Sequence, residues 1–483
     1  MKPLRAMLAA LAAAAAAMTI NQPLAEETAD GAGWYVIEAH DGARLGYASL
    51  ATHARDGDRE IVREQQLFFQ EARNQPTHVR TRSARIENEA GEAVSIVTSV
   101  RSGEHETRTE TRIAQGLVEV VRITPSGRTV QSMPIAAGMR FDEGDGLLPA
   151  WDPAASPRLE FEDFNIGAMA SEHVVIEALG APDAEGRIRA MRTRYRDGGL
   201  VGIARLVLDR NGRLIETVQP MFGASVHVRA SDRETATRTH QPYRMVPNFM
   251  IRSPFRISEA GLLTHVRYRF AFEDEFTFTP PQTDEQRVRM EEGAFTLDIC
   301  ADCGPGLATD DAALAAALRP TSMLQSDHPR LIEMAAAVTR AEPNAARKME
   351  LLQHRARATL QRLDYSGHFS ALDTLDRRAG DCTEAAVLLA ALGRAAGIPT
   401  RVANGLAYSR ESYHGVANAF VPHSWVIAYV DGRWQSFDAA FERFDSGHIV
   451  LTIGDGDASS ISAAGQLASL LRLETIAEVR PRD

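Results

Sequence analysis

The sequence predicts an α+β protein: a β-rich amino-terminal region of antiparallel sheet, then a domain of helices followed by strands. Three observations support this fold class. Before residue 235, short apolar runs alternate with turn dipeptides such as Asp41-Gly42, which favour hairpins. After Asp310, apolar residues recur at spacings of three and four, the period of an α-helix. Further along, two apolar runs flank Asp431-Gly432, a second strong hairpin signal.

Chain length limits the number of domains, and net charge argues against one class of binding partner. The chain has 483 residues and a formal net charge of −11. At roughly 150 residues per domain, this length allows two to four domains. Nucleic-acid binding requires clustered Lys and Arg that contact phosphates, so the acidic balance argues against a nucleic-acid partner.

The first 25 residues have the layout of a secretory signal peptide. Lys2 and Arg5 precede an uncharged, alanine-rich stretch from Ala6 to Ile20, and Ala25 is a suitable cleavage point. A membrane anchor is the alternative, but the stretch falls short of the roughly 20 strongly apolar residues that span a bilayer. We therefore expect residues 1–25 to be removed, and the protein to be periplasmic or secreted without a stable membrane span.

Residues 26–246 are expected to form the antiparallel β-rich domain. Asn211-Gly212 repeats the hairpin pattern seen at its start. One segment, residues 141–157, is rich in Gly, Pro and acidic residues and predicts a long surface loop. Pro247 and Pro254 then mark a domain boundary.

The sequence after residue 246 predicts three structural segments. Residues 247–306 contain two further apolar runs and predict a smaller β domain or linker unit. Residues 307–460 predict the helix-then-strand domain, with helical patterns at 310–320, 328–340 and 344–363. The tail, residues 461–483, predicts a C-terminal helix with apolar positions at Leu467, Leu470, Leu471 and Ile476.

The chain has three cysteines, and export would expose them to an oxidising compartment. Cys300 and Cys303 favour a short-loop disulfide, with free thiols or a metal site as alternatives. A structural zinc site usually has four protein ligands, and no second C-x-x-C motif is present. Cys382 is then the odd cysteine, a candidate reactive thiol.

Cys382 begins an apolar helical run. Asp381 precedes this run and Glu384 follows three residues later, a pattern typical of a helix N-terminus. The helix dipole at that position favours a thiolate and lowers a thiol pKa. The alternative is that Cys382 is a small buried hydrophobic residue, and the stretch alone leaves both interpretations open.

A base and a carboxylate are predicted on one hairpin. If Asp431-Gly432 is a two-residue turn, Val430 pairs with Arg433 and the numbers of paired residues sum to 863. His423 and Asp438 then project from one face as diagonal neighbours, roughly 7 to 8 Å apart at the backbone. A slip of one residue would place them on opposite faces.

Three motifs resemble those of the bacterial transglutaminase-like superfamily: "RAGDCTEAAVLLAALGRAAGIPTRVANGLAY", "PHSWVIAYVDGRW" and "SFDAAF". The resemblance covers about 145 residues. It implies a papain-like α+β fold with Cys382 as nucleophile, His423 as base and acid, and Asp438 orienting the histidine. The family commonly continues its aspartate motif with Pro and Thr, where this chain has Ala439 and Ala440.

Other residues near the motifs are assigned lesser roles. Trp425 is a candidate substrate-binding wall of the cleft, although a core aromatic residue is an equal interpretation. His414 and His448 lack the hairpin relation to a carboxylate, so they are expected in loops or on the surface. No acidic loop has calcium-site spacing, and no metal or cofactor is expected.

The leading hypothesis is an exported cysteine acyl-transfer enzyme. A thioester on Cys382 would pass the acyl group of a protein or peptide amide to water or to an amine. An arylamine N-acetyltransferase has a similar triad, but its acyl-coenzyme A donor is cytosolic, which the signal peptide disfavours. The non-enzymatic alternative is a secreted binding or assembly protein that uses the β domain, with the transglutaminase-like module as a scaffold.

Overall fold

The structure is a computed structural model that describes residues 32–479, and the predicted signal peptide lies outside them. Within that range the undescribed positions are 56, 71–75, 104, 222–223, 239–242, 245–249, 274–275, 363–367, 412–415 and 442. The chain divides into two compact units, one ending at Val246 and one beginning at Pro247. Across the described ranges, no helix has both the length and the apolar character needed to cross a bilayer.

The amino-terminal unit is built on one large antiparallel sheet. Fourteen strands follow the order β8-β7-β6-β5-β4-β3-β2-β1-β14-β13-β12-β11-β10-β9, and β15 adds to β3 in parallel. The strands are β1 (Ala32–Ala39), β2 (Arg44–Arg55), β3 (Asp58–Gln70), β4 (Pro76–Glu87), β5 (Ala93–Ser102), β6 (His105–Ala114), β7 (Leu117–Thr124), β8 (Gly127–Pro134), β9 (Arg158–Asn165), β10 (Ala170–Ala178), β11 (Ile188–Arg196), β12 (Gly199–Leu208), β13 (Leu214–Met221), β14 (Ala224–Ser231) and β15 (Tyr243–Arg244). Helix α1 (Arg233–Thr237) follows β14.

Hairpins form at both dipeptides that predicted them, but their connections are longer than two residues. Strand β1 ends at Ala39 and β2 begins at Arg44, with Gly42 at a φ of 78°. The Asp41 carboxylate accepts a hydrogen bond from the Ala43 backbone N–H at 3.0 Å. This side chain therefore stabilises a four-residue connection in which only the glycine needs positive φ.

The segment predicted as a surface loop is partly buried. It forms a 3-10 helix, Asp145–Ala150, and buries Asp142, Glu143 and Leu148. Arginines from strand β11 pair with its carboxylates: Arg192 lies 3.1 Å from Glu143. The surface-loop prediction is wrong because charged residues with ion-pair partners can be buried, and the partners lie far away in sequence.

The carboxy-terminal unit combines helices with two main sheets. One sheet has the order β16-β23-β22-β25 with β24 on β23, the other has the order β18-β19-β17-β26, and β20 and β21 form a short parallel pair. The strands are β16 (Ile251–Arg252), β17 (His265–Phe272), β18 (Gln286–Glu291), β19 (Ala294–Cys300), β20 (Gln361–Arg362), β21 (Ala379–Gly380), β22 (Thr400–Ser409), β23 (Ala419–Val430), β24 (Arg433–Phe437), β25 (His448–Gly454) and β26 (Leu471–Glu478). The helices are α2 (Glu259–Leu262), α3 (Asp311–Ala316), α4 (Pro329–Thr339), α5 (Ala345–Thr359), α6 (Ala371–Arg377), α7 (Cys382–Ala395) and α8 (Ala458–Ala468).

Helix α7 is the centre of this unit. Every residue from Cys382 to Arg394 is buried, and its apolar side chains share one core cluster with α4, α5, α6 and strand β23. Arg394, a buried charged residue near the helix end, donates to the backbone oxygen of Thr400 at 2.7 Å and to the Asp455 carboxylate at 2.6 Å. The helix therefore holds its first residue, Cys382, in a rigid setting.

The tail corrects one prediction. Helix α8 ends at Ala468, and Leu471–Glu478 is strand β26, which pairs antiparallel with β17. The tail offers apolar residues at both helical and strand spacings, and the open edge of β17 selects the strand. Strand β26 completes the sheet of β17 to β19, and residues 247–306 fall within the carboxy-terminal unit.

Candidate active site

Cys382 is the first residue of helix α7. The Asp381 carboxylate accepts from the Thr383 N–H at 2.8 Å, and Glu384 accepts from the Asp381 N–H at 3.1 Å. This reciprocal pair is the predicted capping box, and it fixes where the helix begins. The Cys382 residue is 6% exposed.

The predicted hairpin register is confirmed. Val430 pairs with Arg433 and Val426 with Phe437, and Asp431-Gly432 forms the turn with φ angles of 51° and 81°. Two positive φ angles are typical of the mirror-image type I turn. Pairing ends at Phe437, so the next residue, Asp438, leaves the strand towards the centre of the site.

His423 and Asp438 meet as predicted. The distance between His423 Nε2 and Asp438 Oδ2 is 2.8 Å, and both side chains are fully buried. The other carboxylate oxygen, Oδ1, accepts from the backbone N–H groups of Ala440 at 2.7 Å and Phe441 at 2.9 Å. The alanines that replace the common Pro and Thr thus leave a backbone that holds the aspartate.

The other imidazole nitrogen of His423 has no hydrogen-bond partner in the described part of the chain. Nδ1 is buried, while the opposite nitrogen is bonded to Asp438. The ring stacks on Phe441 with centroids 4.3 Å apart. A backbone hydrogen bond from Ser424, the residue next to His423, favours the thiolate form of Cys382 and so acts to lower its pKa. His423 therefore has one imidazole nitrogen bonded to Asp438 and the other without a partner among the described residues. It is also the sequence neighbour of Ser424, whose backbone N–H interacts with Cys382.

Burial decides the protonation states. Burial, followed by the charge of Asp381, raises the pKa of Cys382 well above its usual value, against the smaller effect of the Ser424 N–H. The predicted lowering by the helix dipole is wrong here, because desolvation of the thiolate outweighs it. Burial also lowers the pKa of His423, although Asp438 opposes this. The resting pair is therefore a thiol and a neutral imidazole.

His448 was expected in a loop or on the surface, and this expectation is wrong. It is the first residue of β25 and is buried, with its Nε2 atom 3.1 Å from Asp438 Oδ2. Its Nδ1 atom lies 3.1 Å from Asp445 Oδ1. Only the tertiary arrangement brings β25 to the end of the hairpin. His414 lies outside the described residues.

Arg362 is a second residue that the sequence analysis missed. It occupies β20 and pairs with Gly380, two residues before Cys382. Its guanidinium interacts electrostatically with Cys382 and Asp438, and it contributes to lowering the pKa of His423. The side chain is exposed, so it places a positive charge at the edge of the site.

The three clustered side chains also have to be considered as a metal site. The ligand atoms of His423, Asp438 and His448 lie within 4.8 Å of one another. Both Nε2 atoms already contact the same oxygen of Asp438. We therefore interpret the group as a hydrogen-bonded relay and not as a metal site.

Two further site predictions do not hold. Cys300 and Cys303 are free thiols, and the Cys303 thiol lies 3.4 Å from the backbone oxygen of Asp298 instead of forming the predicted disulfide. Trp425 is fully buried, with its Nε1 atom donating to Ser436 Oγ at 3.2 Å. Its ring packs behind the two histidines, so it is a core residue and not a substrate-binding wall.

A sequence model of the transglutaminase-like superfamily matches residues 332–439. That span contains Cys382, His423 and Asp438. A search of curated proteins finds no match.

Among solved structures, the chain is similar to a candidate cysteine protease from Cytophaga hutchinsonii, with 19% identity over 45% of this chain and 84% of that one, at a TM-score of 0.28. It is also similar to a candidate protease from Parabacteroides distasonis, with 14% identity over 89% and 72% of the two chains, at a TM-score of 0.20. A protein with a domain of unknown function from Brucella abortus has 10% identity over 42% and 95%, at a TM-score of 0.33.

The family assignment rests on the sequence match, whose span holds the buried cysteine, histidine and aspartate described above. The carboxy-terminal unit therefore contains a transglutaminase-like domain at residues 332–439, in a chain whose amino-terminal unit is a large antiparallel sheet.

Proposed function

We propose that the protein is a cysteine acyl-transfer enzyme of the transglutaminase-like type that acts on amide bonds of proteins or peptides. One observation carries the proposal: the 2.8 Å contact between His423 and Asp438 anchors one imidazole nitrogen and leaves the other, Nδ1, buried without a hydrogen-bond partner among the described residues. A nucleophile, a base and a residue that orients the base are the minimum set for covalent catalysis.

The reaction would begin with proton transfer from the Cys382 thiol to His423 Nδ1. The sulfur attacks the amide carbonyl, and a tetrahedral intermediate forms with negative charge on its oxygen. The Cys382 backbone N–H, in the first turn of α7, is a suitable donor to that oxygen because first-turn amides lack intrahelical acceptors. The imidazolium then protonates the departing amine, which leaves a thioester on Cys382.

The thioester would be resolved by water or by a second amine. His423 Nδ1 removes a proton from the incoming nucleophile, which attacks the thioester carbonyl. Collapse of the second intermediate releases the acyl product and the thiolate, which recovers the proton. Hydrolysis and amine transfer therefore share every residue and differ only in the nucleophile.

The raised thiol pKa makes the enzyme dependent on His423, because few thiolates form at neutral pH without a base. We expect iodoacetamide at pH 7 to alkylate Cys382 in the wild type and about a hundredfold more slowly in His423→Ala. Peptide mass spectrometry separates Cys382 from Cys300 and Cys303, which serve as internal controls within one molecule.

The variant also has a predicted pH dependence. In His423→Ala, alkylation should recover only at pH values well above 9, where the thiol ionises unaided. His423→Gln retains more of the side-chain volume, so a similar loss of rate in that variant would report the base and not a change in access to the buried sulfur. Equal rates in the two proteins at pH 7 would contradict the proposal.

A second experiment separates the two outcomes of the thioester. A glutamine-containing protein is incubated with a fluorescent amine, and ammonia release and amine incorporation are both measured. Ammonia with incorporation indicates transfer, ammonia alone indicates hydrolysis of the side-chain amide, and new amino termini indicate peptide cleavage. Cys382→Ala should abolish all three signals.

A second function is favoured by one observation, the 6% exposure of Cys382. A thiol this buried fits a module that serves as a scaffold, with the β-sheet unit binding a secreted partner. His423-independent alkylation would support that function.

We also propose export through residues 1–25. Amino-terminal sequencing of the mature protein from a periplasmic fraction should begin near Glu26. A cytoplasmic chain that keeps Met1 would contradict export.

A further inference from the structure

His448 lies on a strand that is not a neighbour of the catalytic hairpin. Strand β22 separates β25 from β23, pairing Ala407 with His448 on one side and Gly405 with His423 on the other. The ladder between β22 and β25 shifts register next to Gly405. A side chain there would collide with the backbone oxygen of Ile449, since a Cβ would lie 2.0 Å from it. Glycine at this position permits the close approach of β25.

Asp438 lies between two histidines. Its Oδ2 atom is 2.8 Å from His423 Nε2 and 3.1 Å from His448 Nε2. On its far side, His448 Nδ1 is 3.1 Å from Asp445 Oδ1. The chain of contacts therefore continues beyond the triad, from His423 to Asp438, His448 and Asp445.

A carboxylate at each ring nitrogen favours the doubly protonated imidazole, because a neutral ring can donate to only one of them. Burial would lower the pKa of His448, but its hydrogen bonds to Asp438 and Asp445 outweigh burial and raise it to about 10. Around neutral pH the ring is a buried cation. It is held among Trp425 and Phe444, whose rings lie at 5.2 and 5.1 Å.

The neighbouring charged groups determine how this cation acts. Asp438 and Asp445 contact it directly, Glu285 interacts with it electrostatically, and Tyr268 interacts with Asp445. The cation and His423 share one carboxylate, and its positive charge contributes to lowering the pKa of His423. His423 therefore remains a neutral base at more acidic pH than it would beside Asp438 alone.

We propose that His448 is a positioning residue of the active site, which holds the same oxygen of Asp438 that His423 contacts and sets the acidic limit below which His423 stops acting as a base. The proposal rests on the proposed function for its catalytic consequence. Its structural part, the coupling of two histidines through one carboxylate, can be measured without any substrate.

The test is a pH titration of histidine ring nitrogens by NMR, with ¹⁵N-histidine-labelled protein, for the wild type and His448→Gln. In the wild type, His448 should stay protonated to about pH 10. In His448→Gln, the His423 midpoint should move to higher pH, because a nearby positive charge is lost. His265→Gln is the matched control, since its Nε2 atom also contacts a carboxylate, Asp298 at 2.8 Å, outside the site.

The same proteins are then alkylated at Cys382 with iodoacetamide from pH 5 to 9. The acidic limb of the rate profile should move to higher pH in His448→Gln, with a fall of about tenfold at pH 6, because each unit in the midpoint changes the base fraction tenfold below it. His265→Gln should leave the profile unchanged. A merely structural role would lower the rate equally at every pH.

Several outcomes distinguish the two proposals. If His423 titrates at the same pH in the wild type and in His448→Gln while His423→Ala still slows alkylation, the inference is overturned and the proposed function stands. If alkylation of Cys382 does not depend on His423, but the His423 titration midpoint differs between the wild type and His448→Gln, the proposed function fails and the coupling is supported. If His448→Gln does not fold, Asp445→Asn replaces it. That variant removes one of the two carboxylates that contact His448, so the His448 titration midpoint should fall. A His448 midpoint equal to that of the wild type overturns the inference.

Discussion

Replacing Asp438 with asparagine is expected to slow amide turnover by about 10⁴-fold, as loss of the orienting carboxylate does in comparable triads. Alkylation of Cys382 should slow by up to about a hundredfold, the loss expected when the base itself is removed. The amide would turn an N–H group, or a weaker acceptor, towards His423 Nε2 and select the wrong tautomer. Among the described residues, it would also leave Asp445 as the one carboxylate in contact with the His448 cation. Oδ1 would still accept from Ala440 and Phe441, so the local backbone should survive.

The measurement is the rate of Cys382 alkylation at pH 7, together with amide turnover once a substrate is known. Asp373→Asn is the matched control, because Asp373 is a buried aspartate of the same unit that pairs with Ser370 at 2.6 Å. Circular dichroism should show that both variants are folded. A folded Asp438→Asn protein that keeps more than a tenth of the wild-type rate would contradict the assigned role.

Replacing Arg192 with methionine is expected to lower the free energy of unfolding of the amino-terminal unit by about 3 kcal/mol. The Arg192 side chain is 2% exposed, 3.1 Å from Glu143 and 3.5 Å from Asp145. Methionine fills much of the volume but leaves the carboxylates of buried Glu143 and partly buried Asp145 with less compensating charge. Arg194 still contacts Glu143, and Arg63 still contacts Asp145, which limits the loss.

Urea unfolding monitored by circular dichroism measures this effect. Arg189→Met lies on the same strand, β11, with an exposed side chain, and should change stability by less than about 0.5 kcal/mol. Adding Glu143→Gln to Arg192→Met should recover part of the loss, because it removes one of the carboxylate charges that have lost a partner. Equal stability of the Arg192 and Arg189 variants would show that the ion pairs contribute nothing measurable.

Some of the site could be predicted because it depends on local structure. Asp431-Gly432 determines a two-residue turn, the turn determines the register, and the register places His423 near Asp438 within one hairpin. The capping box is likewise a contact within four residues, and it marks Cys382 as the helix start. Both features arise from backbone geometry that neighbouring residues specify, so the sequence contains the information directly.

Other features required the tertiary structure. His448 reaches Asp438 only because β25 lies beyond β22, and Arg192 contacts Glu143, which lies 49 positions earlier in the chain. The Cys382 pKa rises because packing removes water from the thiol, which a helix pattern does not reveal. The tail 471–478 pairs as a strand because β17 offers an open edge.

The sequence by itself therefore determined the fold class, the hairpin that joins His423 to Asp438, and the position of Cys382 at a helix start. The tertiary structure decided the protonation states, the second histidine, the free thiols at Cys300 and Cys303, and the burial of Trp425. The physical reason is the sequence separation between the interacting residues. Turn and capping geometry depend on residues a few positions apart, whereas desolvation and electrostatics depend on which distant segments pack together.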